Sequence, residues 1–210
     1  MHTLTSLAAA NISTTDDSFY FKATDPNGAF GIKYDGETKS GNTYVFETDV
    51  YFGGGKATKV LDQFAWLGFT GADTTNKNGH FLSLAMIYNA VGGEMTSMTI
   101  RDYVGKNEIA IINAGEWCNI RLVYTVNNTL NEDGTVAENG YGGKVDVYVN
   151  NVFVKSYNTK GYSASGVPSG SVSNESLTNL GFEMRSTAWC GVTDINWAFD
   201  NTYIGVYTVE

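Results

Sequence analysis

The chain has few basic residues and no cluster of them. Among 210 residues, 13 are lysine or arginine and 22 are aspartate or glutamate, which gives a formal net charge of −9 at pH 7. Proteins that bind nucleic acid or anionic lipid neutralise phosphate with grouped lysine and arginine side chains. The sequence therefore predicts no nucleic-acid partner, and we interpret the acidity as a contribution to solubility.

Long apolar runs are also lacking. No segment approaches the roughly 20 apolar residues that a membrane-spanning helix requires, so membrane insertion is not expected. Met1–Ala10 has neither a basic start nor an apolar core, and it is not an intact signal peptide. We interpret residues 1–16 as a polar lead-in and residues 17–210 as one domain, because domains built from β-strands commonly reach this length.

Familiar catalytic motifs and histidines are scarce. The sequence contains no G-x-S-x-G, H-E-x-x-H, phosphate-binding loop or paired C-x-x-C, which mark common hydrolases, metalloproteases, nucleotide-binding proteins and zinc sites. The two histidines are His2 and His80. His80 is interpreted as a polar residue at the start of a strand, and no residue is assigned a catalytic role.

Cysteine is limited to Cys118 and Cys190. A disulfide needs Cα atoms within about 7 Å of each other, and the sequence does not give that distance. Each cysteine follows a tryptophan, which indicates a packing role. One disulfide and two free buried thiols both remain open.

What the chain does contain is the composition and the pattern of β-strands. Aromatic residues make up 13%, and there are 24 glycines but 2 prolines. No long segment has a convincing helical period. In Lys144–Tyr157, Val145 and Val147 alternate with Asp146 and Tyr148. Such alternation predicts a strand with one apolar face and one polar face.

Turn-forming residues separate many such segments. Asn150-Asn151 interrupts an apolar run, and because asparagine tolerates positive φ, the pair predicts a tight hairpin turn. Short strands recur from Ser18 to Val209, and Asn158–Ser176 is predicted to be a surface loop. Many short strands at this spacing predict an all-β fold, a two-sheet antiparallel β-sandwich.

Two segments carry a resemblance to a known superfamily. The tryptophan-led strand Glu116–Val126 (EWCNIRLVYTV), followed by the hairpin Lys144–Tyr157 (KVDVYVNNVFVKSY), resembles the concanavalin A-like lectin and glucanase superfamily, in particular its laminin-G-like jelly-roll domains. The resemblance implies two antiparallel sheets packed face to face. It also implies carbohydrate binding, usually on the concave face of one sheet.

The resemblance directs attention to the strand faces opposite the core. Aromatic rings stack on sugar rings, and charged groups bind sugar hydroxyls. The predicted ligand-binding residues are Glu47, Asp49, Tyr51, Trp66, Arg101, Tyr103, Glu183 and Arg185. Phe64 is also expected to point outward, and Phe46, Val50 and Phe52 to point into the core. Alternatively, these strands do not share one sheet, and the residues pair across strands for stability.

Glu47-Thr48-Asp49 is weighed separately as a catalytic motif. It resembles the start of the Glu-x-Asp-x-x-Glu motif of laminarinase-like glycoside hydrolases, whose two glutamates act as nucleophile and acid/base. A retaining hydrolase needs two carboxyl groups about 5–5.5 Å apart, and Phe52 stands where the second glutamate would fall. A hydrolase is therefore disfavoured. A lyase would need a tyrosine paired with histidine or lysine near a neutralising group. It is also disfavoured, because the chain has only His2 and His80 as histidines and His80 is interpreted as an ordinary polar residue.

Ala198–Ile204 (AFDNTYI) resembles the terminal strand of laminin-G-like and carbohydrate-binding jelly rolls. In related modules, an aspartate here joins an acidic residue near the N terminus around a structural Ca²⁺, an ion that carboxylate oxygens suit. The resemblance thus implies Asp16, Asp17 and Asp200 as metal ligands. An Asx turn or a hydrogen bond beside a bulge is the alternative role of Asp200.

The predicted function is that of a non-catalytic, lectin-like carbohydrate-binding module. Its partner would be a glycan or polysaccharide, bound on an aromatic and charged sheet face, with structural Ca²⁺ as an optional cofactor. The low charge content and the many Asn, Thr, Ser and Tyr residues fit an extracellular or cell-surface location, as part of a larger multidomain protein. The alternatives are a structural or protein-adhesion domain of a surface or phage protein, and a glycan-degrading enzyme.

Overall fold

The structure of the chain, a computed structural model, describes residues 2–6, 11–15, 18–22, 29–34, 40–70, 80–102, 106–127, 129–135, 137, 143–158, 181–186 and 195–207. Within these ranges the strand pairings are all antiparallel, which confirms the predicted all-β class. This part of the chain contains no helix with the length and hydrophobicity that a membrane crossing demands.

In chain order the strands are β1 His2–Ser6, β2 Asn11–Thr15, β3 Ser18–Lys22, β4 Ala29–Tyr34, β5 Thr43–Lys56, β6 Leu61–Thr70, β7 His80–Val91, β8 Glu94–Asp102, β9 Glu108–Asn113, β10 Glu116–Val126, β11 Gly143–Val149, β12 Val152–Asn158, β13 Gly181–Ser186 and β14 Ile195–Tyr207.

The strands form two layers that face each other. The β5 layer has the order β12-β11-β10-β5-β14, and the β7 layer has the order β1-β4-β13-β6-β7-β8-β9. The layers are continuous at one corner, because Gly55 and Lys56 at the end of β5 pair with Met95 and Glu94 of β8. β2 and β3 form a separate two-stranded sheet, and β3 contacts β14. This architecture is the two-sheet sandwich that the sequence predicts.

Aromatic residues from both layers fill the space between them. The ring of Phe64 in β6 lies 6.1 Å from the ring of Phe52 in β5 and 5.9 Å from that of Trp197 in β14. Phe46, Val50 and Phe52 are at most 1% exposed, so the core face of β5 is confirmed. Burial stabilises each large apolar side chain by roughly 1.5–3 kcal/mol, and this cluster therefore contributes much of what holds the layers together.

β6 departs from simple alternation. Its pairing with β7 passes from Gln63 opposite Ile87 directly to Ala65 opposite Met86, so Phe64 is an extra residue in a β-bulge. The prediction that Phe64 points outward is wrong, because its side chain is 1% exposed and lies in the core. A bulge changes which face the following residues occupy, and sequence periodicity does not reveal where a bulge occurs.

The hairpin between β11 and β12 is confirmed. Asn150 and Asn151 have φ angles of 48° and 66°, the conformation that asparagine tolerates. Val145 and Val147, on the core face of β11, are fully buried. The backbone nitrogen of Asn119 donates to Oδ1 of Asn150 at 2.9 Å, which ties the turn to β10.

A buried carboxylate connects the two layers. Asp102, at the end of β8, is 1% exposed. Its Oδ2 accepts hydrogen bonds from the hydroxyl of Tyr157 in β12 at 3.0 Å and from Nδ2 of Asn107 at 2.8 Å. Nζ of Lys155 lies 4.0 Å from the same oxygen. Because a buried charge is tolerated only when it is hydrogen-bonded, Asp102 fixes β12 of one layer against β8 of the other.

Some sequence predictions fall at the edge of the described residues or outside them. The stretch interpreted as a polar lead-in contains β1, which pairs with β4, and β2, which pairs with β3. Part of it therefore joins the sheets, and a domain boundary at residue 17 stays a prediction. Cys118 is a buried free thiol. Outside the described residues lie Asp16, Asp17, Tyr103, Cys190 and most of Asn158–Ser176.

Candidate functional site

Each layer has one face toward the core and one face outward. On β5, Glu47, Asp49 and Tyr51 occupy outward positions that alternate with buried ones. On β8, Arg101 lies opposite Ala85 of β7 and points away from the core. Because the core fills the space between the layers, these two outward faces are on opposite sides of the molecule.

The predicted ligand-binding residues are therefore divided between two surfaces. Backbone register places Trp66 opposite Arg185 on one side and opposite Ala85 on the other. Glu183 lies two residues before Arg185 and shares its strand face. These three positions belong by register to the same surface as Arg101. The three predicted residues of β5 lie on the other surface.

Two outward-pointing residues in the middle of the β7-layer surface are buried. Ala85 is 0% and Ile87 is 2% exposed, although both point away from the core. Ala85 lies in register between Trp66 and Arg101, which are much larger residue types. Because Ala85 has no exposed surface, neighbouring atoms cover the middle of this surface. We call this surface the recessed face; its described side chains are Gln63, Ala85, Ile87, Asn89, Ser97, Thr99 and Arg101, with Trp66 and Arg185 at neighbouring register positions.

Polar groups lie on the same surface. Nδ2 of Asn89 donates to Oγ of Ser97 at 3.1 Å and to Oγ1 of Thr99 at 3.0 Å, which fixes an amide and two hydroxyls along β7 and β8. Nε of Arg101 is buried and has no hydrogen-bond partner within the described structure. A buried donor without a partner costs free energy, so an acceptor from a bound molecule would stabilise this arrangement.

The outward surface of the β5 layer carries an aromatic pair. Trp117 in β10 lies directly opposite Tyr51 in β5. Their ring centroids are 5.1 Å apart, with an interplanar angle of 38°, and Trp117 is 50% exposed. Aromatic pairs at this distance stabilise neighbouring strands, yet half of the tryptophan surface remains open to solvent.

Asn119 is the centre of a hydrogen-bond network beside this pair. Its Nδ2 donates to Oε1 of Glu47 and to Oδ1 of Asp49, both at 2.9 Å. Nδ2 of Asn201 donates to the second oxygen of Asp49 at 2.8 Å. Oδ1 of Asn119 is buried and has no partner within the described structure. We call this surface the ladder face; its residues are Glu47, Asp49, Tyr51, Trp117, Asn119, Arg121, Tyr148 and Asn201.

Arg121 lies directly opposite Glu47 in register but is engaged elsewhere. Its guanidinium lies 4.5 Å from the centre of the Tyr148 ring, and its Nη1 donates to Oδ1 of Asn151 at 3.3 Å. No salt bridge to Glu47 or Asp49 is found within the described residues. The ladder face therefore presents two carboxylates that are hydrogen-bonded by amides rather than neutralised by cations.

Two ionisable groups near these carboxylates have raised pKa values. The pKa of Tyr203, opposite Glu47 in register, is raised chiefly by its hydrogen bond with Tyr207, whose hydroxyl lies 3.2 Å away. Burial raises the pKa of the Cys118 thiol to about 11, and the nearby negative charge of Asp49 adds to the shift. Both groups are therefore protonated at neutral pH.

The hydrolase motif lacks its third residue in space as well as in sequence. Phe52, at the position of the second glutamate, is 0% exposed and lies in the core. Glu47 and Asp49 thus share the outward face without a third carboxyl group from β5.

The calcium prediction is tested in part by the position of Asp200. Its Oδ1 accepts a hydrogen bond from the backbone nitrogen of Asn201 at 2.7 Å, and Asn201 has a φ of 50° next to a register shift. This is the local hydrogen bond that the alternative interpretation describes. The described residues contain no group of three or more acidic, histidine or cysteine side chains arranged for a metal. The predicted partners Asp16 and Asp17 lie outside those residues, so the calcium site stays a prediction.

Sequence reasoning missed part of the ladder face. The sequence indicates a packing role for Trp117; its ring does pack against Tyr51, but half of the side chain is also exposed on the outward face. The signal was present in β10, where Cys118 and Ile120 are buried and alternate with Asn119 and Arg121. Applying the period of two to this strand would have placed its polar residues on one outward face.

Comparison with known proteins gives matches at the level of structure. No known family model matches the sequence, and no curated protein matches it. The structure is similar to an alginate lyase from Alteromonas sp.272, with 12% identity, coverage of 99% of this chain and 95% of that chain, and a TM-score of 0.50.

Two further solved structures are similar over most of the chain. The PL7 alginate lyase AlyA1 from Zobellia galactanivorans has 13% identity, coverage of 95% of this chain and 85% of that chain, and a TM-score of 0.49. The metal-free carbohydrate recognition domain of Emp46p has 11% identity, coverage of 98% and 87%, and a TM-score of 0.41. At these identities the similarity shows the fold alone. The chain has a concanavalin A-like jelly-roll fold, as the sequence resemblance implied.

Proposed function

We propose that this protein is a non-catalytic carbohydrate-binding module that holds a glycan on the recessed face. The observation that carries the proposal is the buried, unpartnered Nε of Arg101 beside the fully buried, outward-pointing Ala85. An arginine in this position offers donors to sugar hydroxyls or to a carboxylate. Ala85, a small residue, lies next to it in register.

The neighbouring residues supply the other groups that sugars use. Hydroxyl and amide side chains of Asn89, Ser97 and Thr99 lie along the same face. Backbone register adds an aromatic residue, Trp66, across Ala85 from Arg101. Binding sites for small polar molecules use a few placed polar groups, and this surface supplies such groups.

The fold supports the same class of ligand by analogy. The similar structure from Alteromonas sp.272 is named as an alginate lyase, and fold analogy supports a hypothesis about function but does not establish one. We extend the proposal to a polysaccharide ligand and to an extracellular or cell-surface location, with this domain acting as part of a larger protein.

The first experiment is a glycan array together with a pull-down on insoluble polysaccharides, with and without EDTA. We expect the wild type to be retained, and we expect Arg101→Ala and Trp66→Ala to weaken retention by about tenfold or more, since hydrogen bonds from a charged donor contribute roughly 1.5–3 kcal/mol. The matched control is Arg121→Ala, which removes a partly buried arginine from the opposite face. Its retention on the same glycan, chosen without amino groups, should stay within about twofold of wild type.

The outcomes separate the alternatives. Loss of retention with EDTA would support the calcium prediction. Absence of retention across a broad panel, with a folded protein, would refute the proposal and favour a structural or protein-adhesion domain. Equal weakening by Arg101→Ala and Arg121→Ala would also refute it, because binding would not depend on the recessed face. Release of reducing ends that stops in Glu47→Gln would show that the protein is an enzyme.

A further inference from the structure

We infer that the ladder face is a second ligand site, which binds a sugar carrying a free amino group. The inference goes beyond the proposed function, because it concerns the opposite side of the molecule and different residues. It begins with the aromatic pair of Tyr51 and Trp117. The half-exposed indole of Trp117, 5.1 Å from the Tyr51 ring, leaves an aromatic surface on which the C–H face of a sugar can stack.

The charges beside this surface select the ligand. Glu47 and Asp49 each lie within 2.9 Å of the same amide nitrogen of Asn119, so the two carboxylates are close together. Within the described residues neither has a salt bridge, and the guanidinium of Arg121 is held over Tyr148 instead. Two neighbouring negative charges that form no salt bridge attract a positively charged group and repel an acidic sugar such as a uronate.

The hydrogen-bonding groups of the ladder face favour the same kind of ligand. Oδ1 of Asn119 is a buried acceptor without a partner in the described structure, and the carboxylates of Glu47 and Asp49 are acceptors as well. The unpartnered donor of this face, Nε of Arg121, belongs to the guanidinium that lies over Tyr148. An ammonium group supplies three donors, a positive charge and no acceptor. It also interacts favourably with the face of an aromatic ring such as Trp117. A protonated amino sugar therefore complements both parts of the ladder face, the aromatic surface and the excess of acceptors.

Stabilisation between neighbouring strands explains only part of the ladder face. It accounts for the contact between Tyr51 and Trp117 and for the hydrogen bonds that Asn119 donates. It does not account for the unpartnered Oδ1 of Asn119. A donor-bearing ring that rests on Trp117 and reaches Asn119 would supply a partner for this acceptor.

The test is a calorimetric titration of the full chain with a short glucosamine oligomer and with its fully N-acetylated counterpart of equal length. We expect binding of the amino form, at least about tenfold weaker binding of the acetylated form, and weakening by added salt. Trp117→Ala should weaken binding of the amino form by about fivefold or more. Glu47→Gln/Asp49→Asn should weaken it by about tenfold or more.

A charge-matched control separates a built site from general attraction to an acidic protein. Glu108→Gln/Glu132→Gln removes two exposed negative charges outside the ladder face and should bind the amino oligomer like wild type. Equal weakening by the two double variants, equal binding of both oligomers, or no binding of the amino oligomer would overturn the inference. Arg101→Ala should leave this binding unchanged, so failure of the recessed-face proposal and failure of this inference are distinguishable.

Discussion

The hydroxyl of Tyr157 is predicted to stabilise the fold by satisfying a buried charge. It donates to Oδ2 of Asp102 at 3.0 Å, and the Asp102 side chain is 1% exposed. Tyr157→Phe removes this donor and leaves the ring in place. Because Asp102 joins β8 to β12, the substitution weakens a contact between the two layers and not a local hairpin.

The expected magnitude follows from the surroundings of the carboxylate. A hydrogen bond to a charged group contributes roughly 1.5–3 kcal/mol, and Tyr157→Phe removes one such bond. Asn107 still donates to the same oxygen from Nδ2 at 2.8 Å and from its backbone nitrogen at 3.2 Å, so the loss should not exceed the middle of this range. Lys155 is 4.0 Å away and partly exposed, and it compensates little. For a chain of this length, a loss of about 2 kcal/mol lowers Tm by roughly 4–8 °C.

The assay is urea unfolding followed by tryptophan fluorescence, with calorimetry as a second measurement. Tyr207→Phe is the matched control, because its hydroxyl is exposed and contacts another tyrosine hydroxyl; its effect should be below about 0.5 kcal/mol. A double-mutant cycle with Asp102→Asn should give a coupling of about 1 kcal/mol or more. An equally small effect of Tyr157→Phe and Tyr207→Phe would refute the role assigned to this hydrogen bond.

Three further predictions concern stability and reactivity. Asn119→Ala should destabilise the protein by about 1–3 kcal/mol in urea unfolding, because it removes the donor shared by two carboxylates; an unchanged midpoint would contradict this. The pKa of Cys118 is raised from 9.0 to about 11. The stability that the buried thiol contributes is therefore complete below pH 9 and is lost as the pH rises toward 11. Cys118→Ala should reduce this alkaline loss of stability, and an identical dependence of stability on pH in the variant and the wild type would contradict the prediction. A Cβ at Gly143 would lie 2.3 Å from the carbonyl oxygen of Thr125, whereas one at Gly134 meets nothing within 4 Å; Gly143→Ala should therefore unfold at lower urea than Gly134→Ala, and the reverse order would contradict the steric argument.

The strand faces that follow regular alternation could be predicted from the sequence. In β11 every second residue is apolar, and in β5 the same pattern holds with Thr48 as the exception. A one-residue shift would place Phe46 or Val147 in water. The burial of both side chains confirms those predictions. The turn at Asn150 and Asn151 was predictable for a similar reason, because few residue types adopt positive φ without strain.

Features that depend on distant strands could not be predicted in this way. Phe64 enters the core because β6 gains a residue relative to β7, and that bulge depends on the pairing between strands. The sequence also does not show that the predicted ligand-binding residues lie on two separate surfaces. The local pattern predicts that Glu47 and Arg101 both face outward, but it does not indicate that β5 and β8 belong to different layers.

Strand order therefore decides which residues can act on one ligand. Outward residues cooperate when their strands are neighbours in one layer, as Tyr51 and Trp117 do across β5 and β10. β5 and β8 pair only at Gly55 and Lys56, beyond the part of β5 that carries the ladder face. A ligand resting on Trp117 thus has a filled core between itself and Arg101. The ligands proposed for the ladder face and for the recessed face must then be separate molecules, or separate parts of a chain long enough to pass around the edge of the sandwich.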